Sequence, residues 1–490
     1  MQSEKFTGGA DMWMGVDLGT QSVRAVVVGD RGEILGSGSA PLTGHRDGVR
    51  HEQRPLDWWT AVCAASREAL RDGPAPRALA VCATSGTVLL GDRAGRPLTP
   101  GVMYDDGRAV TEAVRARTPP SWALPKVMWL LREYGRAHGG RVDGTVRVMH
   151  QADLVLARLA GTPLPTDSSH ALKTGYDMER DAWPHGRFGR LGLPEQLFPE
   201  VVRPGRRIGE VGRAAAEETG IPAGTLLVSG MTDGCAAQIA SGALTTGSWN
   251  SVLGTTLVLK GVTSSPVVDR AGVVYNHRAP DGGWLPGGAS GVGGGALTAA
   301  FPGADPARLD ALAREREPAR AVAYPLAGTG ERFPFVAPGA TGFLLGEPAD
   351  EAEHWAALLT GTGLVERLCL DYLDLLGAPL HGRLTFTGGA VRSGYWSRLR
   401  ADILGRPVYI PRSAEPVLGM AVLAAYGARA VDTLAGAAGR MVRLRHVLRP
   451  HPTRTAWYTE PYVALVDELE RRGWLPGPVA AHARTRTENR

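Results

Sequence analysis

Lysine is nearly missing from this chain of 490 residues: Lys5, Lys126, Lys173 and Lys260 are the only four among 54 basic residues. A P-loop requires a Gly-Lys-Ser/Thr step, and none of these lysines follows a glycine, so the P-loop nucleotide-binding class is excluded. Cysteine is equally sparse. Cys63, Cys82, Cys235 and Cys369 stand far apart without a Cys-x-x-Cys pair, which argues against a zinc site or a disulfide framework and for a reducing compartment. Residues 1–13 are polar and lack the apolar run of a signal peptide. No uninterrupted apolar stretch approaches the ~18 residues of a membrane span. A cytoplasmic protein is expected.

The positive balance is also thinner than it looks. The formal charge is +5, but Arg484, Arg486, Glu488 and Arg490 contribute a net +2 from the end of the chain alone. A nucleic-acid footprint needs basic residues clustered on one face or stripe, and the sequence shows none, so the arginines read as solvated surface. The length exceeds one ordinary core, which favours two domains.

Short strand–turn–strand units are what the chain does contain. Residues 12–17 form an apolar run ending in Asp17, followed by Gly19-Thr20-Gln21-Ser22 and a second apolar run over residues 23–28. An Asp/Gly turn then leads to a third strand over 33–39. A similar unit stands about half a chain later: a strand over 249–253, the turn Gly254-Thr255-Thr256, and a return strand over 257–262. Such a duplication predicts two similar domains facing each other. Helical spacing predicts helices over 57–70, 126–134, 153–159, 356–376, 396–404 and 419–427, and strands over 384–387 and 408–410. Strands alternating with helices make this an α/β chain. Residues 181–193, rich in Gly, Pro, Arg and Trp, read as a loop.

Each turn carries chemistry. Glycine lets backbone amides approach an anion, Thr20 adds a donor, and Asp17 suits a hydrated magnesium beside phosphates. The same residues also make an ordinary hairpin. Gly254-Thr255-Thr256 reads as a matching phosphate clamp. Gly388-Gly389, at the end of a strand, lets a flat ring or a phosphate lie against backbone, or simply turns the chain. Asp233 lies between glycines after the strand 226–228, placed either for chemistry or to cap the helix that follows. Three patterns match no motif: His45-Arg46-Asp47 lacks the asparagine of a kinase catalytic loop, His51-Glu52 lacks a second zincin histidine, and Gly291, Gly293, Gly294 and Gly295 do not spell a dinucleotide fingerprint, although the stretch 288–296 remains able to pass close to a ligand.

Taken in order, the stretches 16–22 (VDLGTQS), 55–59 (PLDWW), 231–234 (MTDG), 254–256 (GTT), 387–390 (TGGA) and 396–407 (WSRLRADILGRP) resemble the FGGY carbohydrate kinases of the actin-like ATPase superfamily, over residues 14–470. The stretches 83–90, 103–108, 171–177 and 330–334 are most similar to the D-ribulokinase branch. Xylulokinases usually carry Met-His where Ser85-Gly86-Thr87 stands, and relatives often have Asn where Gly291 stands. The resemblance implies two actin-like (ribonuclease H-like) α/β domains around a central catalytic cleft. Residues 12–262 would be the N-terminal domain, with sugar binding and the first phosphate loop. Residues 263–475 would be the nucleotide-binding C-terminal domain, and 476–490 a disordered or frayed tail. It further implies Asp233 as the catalytic base, Asp17, Ser85 and Asp233 facing the sugar, and Thr20, Gly254, Thr255, Gly389 and Ser393 on the nucleotide. Asp17 would also order Mg2+. The expected activity is ATP- and Mg2+-dependent phosphorylation of the terminal hydroxyl of a ketopentose, D-ribulose first. The alternatives are another ketose or polyol (D-xylulose, ribitol, a modified sugar), or a non-catalytic nucleotide-binding regulator. The expected partners are the sugar and ATP, with neither nucleic acid nor membrane, in a chain that forms a homodimer or stands alone.

Overall fold

The computed structural model describes residues 11–71, 73–140 and 142–488. It forms two compact units. The first extends to Ala240 and takes in His277–Gly282 and Glu415–Arg443; the second comprises Ser241–Asn276, Gly283–Ala414 and the chain from Leu444 onward. The expected boundary at 262/263 therefore falls earlier, and the later chain returns to the first unit. Strand pairing explains the first difference. Trp249–Leu253 pairs antiparallel with Leu257–Gly261 and parallel with Leu384–Thr387, which draws the whole hairpin into the second unit's sheet.

In the first unit a six-stranded sheet runs Arg207–Glu210, Leu226–Val228, Ala78–Ala83, Met12–Leu18, Ser22–Gly29, Ile34–Pro41. Met12–Leu18 and the two strands after it form an antiparallel meander, and Ala78–Ala83 adds in parallel on the other side. The second unit repeats this plan. Trp249–Leu253, Leu257–Gly261 and Trp284–Ser290 form the meander, and Leu384–Thr387 and then Val408–Pro411 add in parallel. The duplicated strand–turn–strand unit is thus a duplicated sheet topology.

Helix Pro416–Gly427 is apolar nearly all round, because it is buried on most sides within the first unit. Two glycines let it come close. A Cβ on Gly15 would lie 1.9 Å from the Val417 carbonyl oxygen, and one on Gly419 would lie 2.0 Å from that of Ala236. One helix thereby seats both the strand carrying Asp17 and the helix Asp233–Ala240. In the second unit the long helix Glu351–Leu375 starts on Asp350, whose carboxylate accepts the Glu353 amide at 2.8 Å. It buries Glu366, which pairs with the fully buried Arg400 on helix Gly394–Leu404.

Two expectations about irregular segments change. Residues 181–193 contain the short helix His185–Leu191. Residues 476–490, expected to fray, form helix Gly477–Glu488 over their described part. Val479, Ala480 and Ala483 are buried, and Arg486 pairs with Asp371 and Asp374 of the long helix. Arginines that read as solvated charge find carboxylates distant in sequence, which composition does not reveal. Among the described residues all four cysteines are free and no helix is long and apolar enough to cross a membrane.

Candidate active site

The first unit brings Asp17, Thr20, Ser85 and Asp233 onto neighbouring strand ends. Asp17 is the sixth residue of Met12–Leu18, and its register partner on the parallel strand is Cys82. Thr232 bridges in parallel to Ala83, the residue that closes the same strand, so Asp233 begins its helix close to the other two. The Cys82 thiol donates to Asp17 Oδ1 at 3.4 Å. Burial, then Asp17 and Asp233, push the Cys82 thiol well above its usual range, so it acts as a neutral donor. Burial, and then the like charge of Asp233, push the Asp17 carboxyl up to about 6. The raised Asp17 carboxyl reports the cost of burying one carboxylate beside the half-buried second. Hard oxygen donors of this kind suit Mg2+, which takes one or two carboxylates and completes its shell with phosphates and water.

Ser85 opens the turn after Ala78–Ala83, and its hydroxyl is buried with no hydrogen-bond partner among the described residues. Lys173 Nζ donates to the Ser85 carbonyl at 3.2 Å. Thr20 is held through its carbonyl, which accepts from Gln53 Nε2 at 2.7 Å, and lies beside Tyr104.

The second unit gathers Gly254, Thr255 and Gly389. The turn carrying Gly254 and Thr255 is backed by backbone: the amides of Gly294 and Gly295 donate to their carbonyls at 2.8 and 3.0 Å. That explains the glycine-rich stretch that spells no fingerprint. Gly388 takes φ +85°, and a Cβ there would lie 2.5 Å from the Leu253 carbonyl oxygen, so only glycine lets the diglycine lie on the end of the neighbouring strand. Thr255 is exposed and Gly389 half-buried. Ser393 behaves differently. It caps helix Gly394–Leu404, accepting the Trp396 amide at 2.9 Å and donating to Asp310, so its hydroxyl is already occupied. Gly291 donates its amide to Glu331 at 2.8 Å and offers no side-chain contact.

Sequence reasoning passed over several residues that the structure sets among these. Tyr104 lies against Thr20 and within the field of Asp233; burial first, then Asp105 and Asp233, raise its phenol. Its segment is pinned by His51 Nδ1 to Asp105 at 2.6 Å and by Arg108 to Glu52. The decoy histidine therefore has a positioning role. Tyr104 and Lys173 both fall in stretches that mark the branch resemblance, which was the available signal.

An antiparallel meander with parallel strands added, repeated in two α/β units, defines a chain of the actin-like, ribonuclease H-like type. The chain belongs to the FGGY family of carbohydrate kinases: the N-terminal domain of that family matches residues 12–240 and its C-terminal domain matches residues 249–428. It is an ATP-dependent sugar kinase. It is 29% identical over 433 residues to the xylulose kinase of Streptomyces rubiginosus, across 84% of this chain and 87% of that one. It is 30% identical over 438 residues to the xylulose kinase of Streptomyces coelicolor, again across 84% and 87%. Among solved structures, the xylulose kinase of Rhodospirillum rubrum matches with a TM-score of 0.82 at 25% identity, covering 94% of this chain and 99% of that one. The glycerol kinase of Plasmodium falciparum, solved with ADP, shares the fold: TM-score 0.81 at 16% identity, covering 94% and 98%.

Proposed function

We propose that this chain transfers the γ-phosphate of ATP to the terminal hydroxyl of a ketopentose, with D-ribulose as the favoured acceptor and D-ribulose 5-phosphate as product. Asp233 is the base that takes the hydroxyl proton as oxygen attacks phosphorus in line. Asp17 and Ser85 hold the sugar, the buried Ser85 hydroxyl being short of a partner that a polyhydroxylated ligand supplies. Thr20, Gly254, Thr255 and Gly389 hold the nucleotide through amides and hydroxyls, and Ser393 acts there as a helix cap. Mg2+, ordered by Asp17, supplies charge neutralisation on the phosphates when bound.

The acceptor choice rests on Gly86. It takes φ +100°, and a Cβ there would lie 2.9 Å from the Ser121 carbonyl oxygen. A residue with a side chain is strained at that position, and the Met-His pair usual in xylulokinases is absent from Ser85-Gly86-Thr87. D-xylulose, which differs from D-ribulose only in configuration at C3, is the second reading, favoured by the xylulose kinases among the relatives. Coupled ADP-release assays across D-ribulose, D-xylulose, ribitol and other ketoses and polyols decide between them. The highest kcat/KM is expected with D-ribulose. Clear turnover with D-xylulose and none with D-ribulose would reverse the order, and nucleotide binding without turnover on any acceptor would favour a regulator.

A further inference from the structure

Four arginines line one concave groove of about 570 Å3 in the first unit. Arg115 and Arg117 stand at the end of helix Val110–Ala116, and Arg187 and Arg190 belong to helix His185–Leu191. The remaining lining residues are Ala116 and Leu191, so no carboxylate faces the groove. The sequence shows no such cluster, because the two segments lie 71 residues apart where they touch.

The groove is braced rather than loose. Arg187 Nη2 donates to the Ala116 carbonyl at 2.8 Å, and Arg115 Nη2 donates to the Leu191 carbonyl at 3.0 Å. Each helix thus has a carbonyl at its C-terminal end capped by an arginine of the other. Phe188 anchors the second helix in a buried aromatic cluster, 4.4 Å from Phe198 between ring centroids. Arg117 and Arg190 make no side-chain hydrogen bond or ion pair among the described residues. Arg117 holds φ +51°, a left-handed conformation that glycine adopts without strain at a helix end. Neighbouring acids are engaged elsewhere: Asp177 pairs with Arg180 and Glu195 with His185.

We infer that this groove binds a compact phosphate-bearing anion, at a site separate from the residues assigned to phosphoryl transfer. Guanidinium forks match phosphate oxygens, and two of the four are already held in place, which lowers the ordering cost of binding. The volume is that of a metabolite site. A nucleic acid fits less well: the groove has no aromatic surface for stacking, and its arginines form a cluster rather than a stripe. The inference stands whichever sugar is the acceptor.

The test is titration of the full chain with pyrophosphate by calorimetry at low salt, after the nucleotide site is saturated with a non-hydrolysable ATP analogue. Hydrogen exchange then locates the bound anion. Binding is expected, with protection confined to residues 113–118 and 185–192. Arg190→Ala and Arg117→Gly should each weaken it at least about fivefold. Arg117→Gly relieves the backbone, so its melting temperature should equal or exceed that of wild type, and both variants should keep wild-type basal kcat. Absence of binding beyond the nucleotide site, or unchanged affinity in both variants, would overturn the inference. So would a short oligonucleotide that binds through these arginines more tightly than pyrophosphate.

Discussion

Ser169 Oγ accepts the amide hydrogen of Thr232 at 3.1 Å and lies 2.9 Å from Thr232 Oγ1. Both side chains are buried, and the bond fastens the residue before Asp233 to helix Ser168–Ala171. A base that must meet one hydroxyl proton depends on such a fastening, since displacement by about 1 Å can cost roughly 100-fold in rate. Ser169→Ala is expected to lower kcat about 10–100-fold. The KM for ATP should change little, and Ser169→Thr should restore part of the rate. Steady-state kinetics on the three proteins check this. A rise in the KM for ATP with kcat intact would place Ser169 elsewhere in the mechanism.

Asp233→Asn keeps the shape of the side chain and removes its ability to take a proton. Loss of a general base costs roughly 10²–10⁴ in rate. That loss should appear in kcat with the fold intact, because asparagine matches aspartate in size and shape at the first residue of the helix. Unchanged turnover in Asp233→Asn would remove the assignment.

How far the sequence reaches depends on distance along the chain. The meander strands, their Gly-Thr turns and helix Pro55–Leu70 follow from periodicity over a dozen residues, and their positions are readable directly. The return of Pro416–Gly427 to the first unit is not readable, because it depends on Gly15 and Gly419 meeting backbone from distant segments. Ser169 gives no local sign of reaching Thr232, 63 residues on. Ser393 reads as a polar residue beside a diglycine, yet it is occupied by Asp310, 83 residues earlier. Local chemistry is legible, and the contacts that orient it come from topology.

The diglycine offers a controlled comparison. A Cβ on Gly388 would meet backbone at 2.5 Å, at a positive φ, whereas one on Gly389 would meet only the end of the Arg392 side chain at 3.3 Å. Gly388→Ala should lower the melting temperature and activity together. Gly389→Ala should leave the melting temperature near wild type and raise the KM for ATP several-fold, if that backbone lies against the nucleotide. Equal behaviour of the two variants in both assays would mean that Gly389 is structural only.

Arg400 explains part of the 396–407 stretch. Its guanidinium meets Glu366 at 2.7 and 2.9 Å, donates to Ser251 at 2.9 Å, and lies 3.6 Å from the centroid of the Phe386 ring. Ser251 and Phe386 belong to adjacent strands of the sheet that carries the Gly254 and Gly388 turns. Removing one member of a fully buried pair leaves the other uncompensated, at a cost of about 3–5 kcal/mol. Glu366→Gln should therefore destabilise the second unit by that order in chemical denaturation. A loss below about 1 kcal/mol would mean that the pair contributes no more than a surface one.

Lys126 gives the chain a pH dependence that runs upward. Its side chain is fully buried, with Nζ donating to the carbonyls of Pro120 and Trp122 at 3.1 Å each. Burial, and then the like charge of Lys173, push the ammonium down to about 7. An unfolded lysine titrates near ~10.4, so between about pH 7 and that value the unfolded chain binds the proton and the folded chain does not. Stability then rises with pH across that window, by at most ~1.4 kcal/mol per unit, and the full penalty of the buried charge applies below it. Lys126→Met removes the titrating group, while the two carbonyls it strands cost the same at every pH. The difference in urea stability between wild type and Lys126→Met should therefore shift in favour of wild type from pH 7 to pH 9. A difference constant over that range would show that Lys126 keeps its proton in the folded chain.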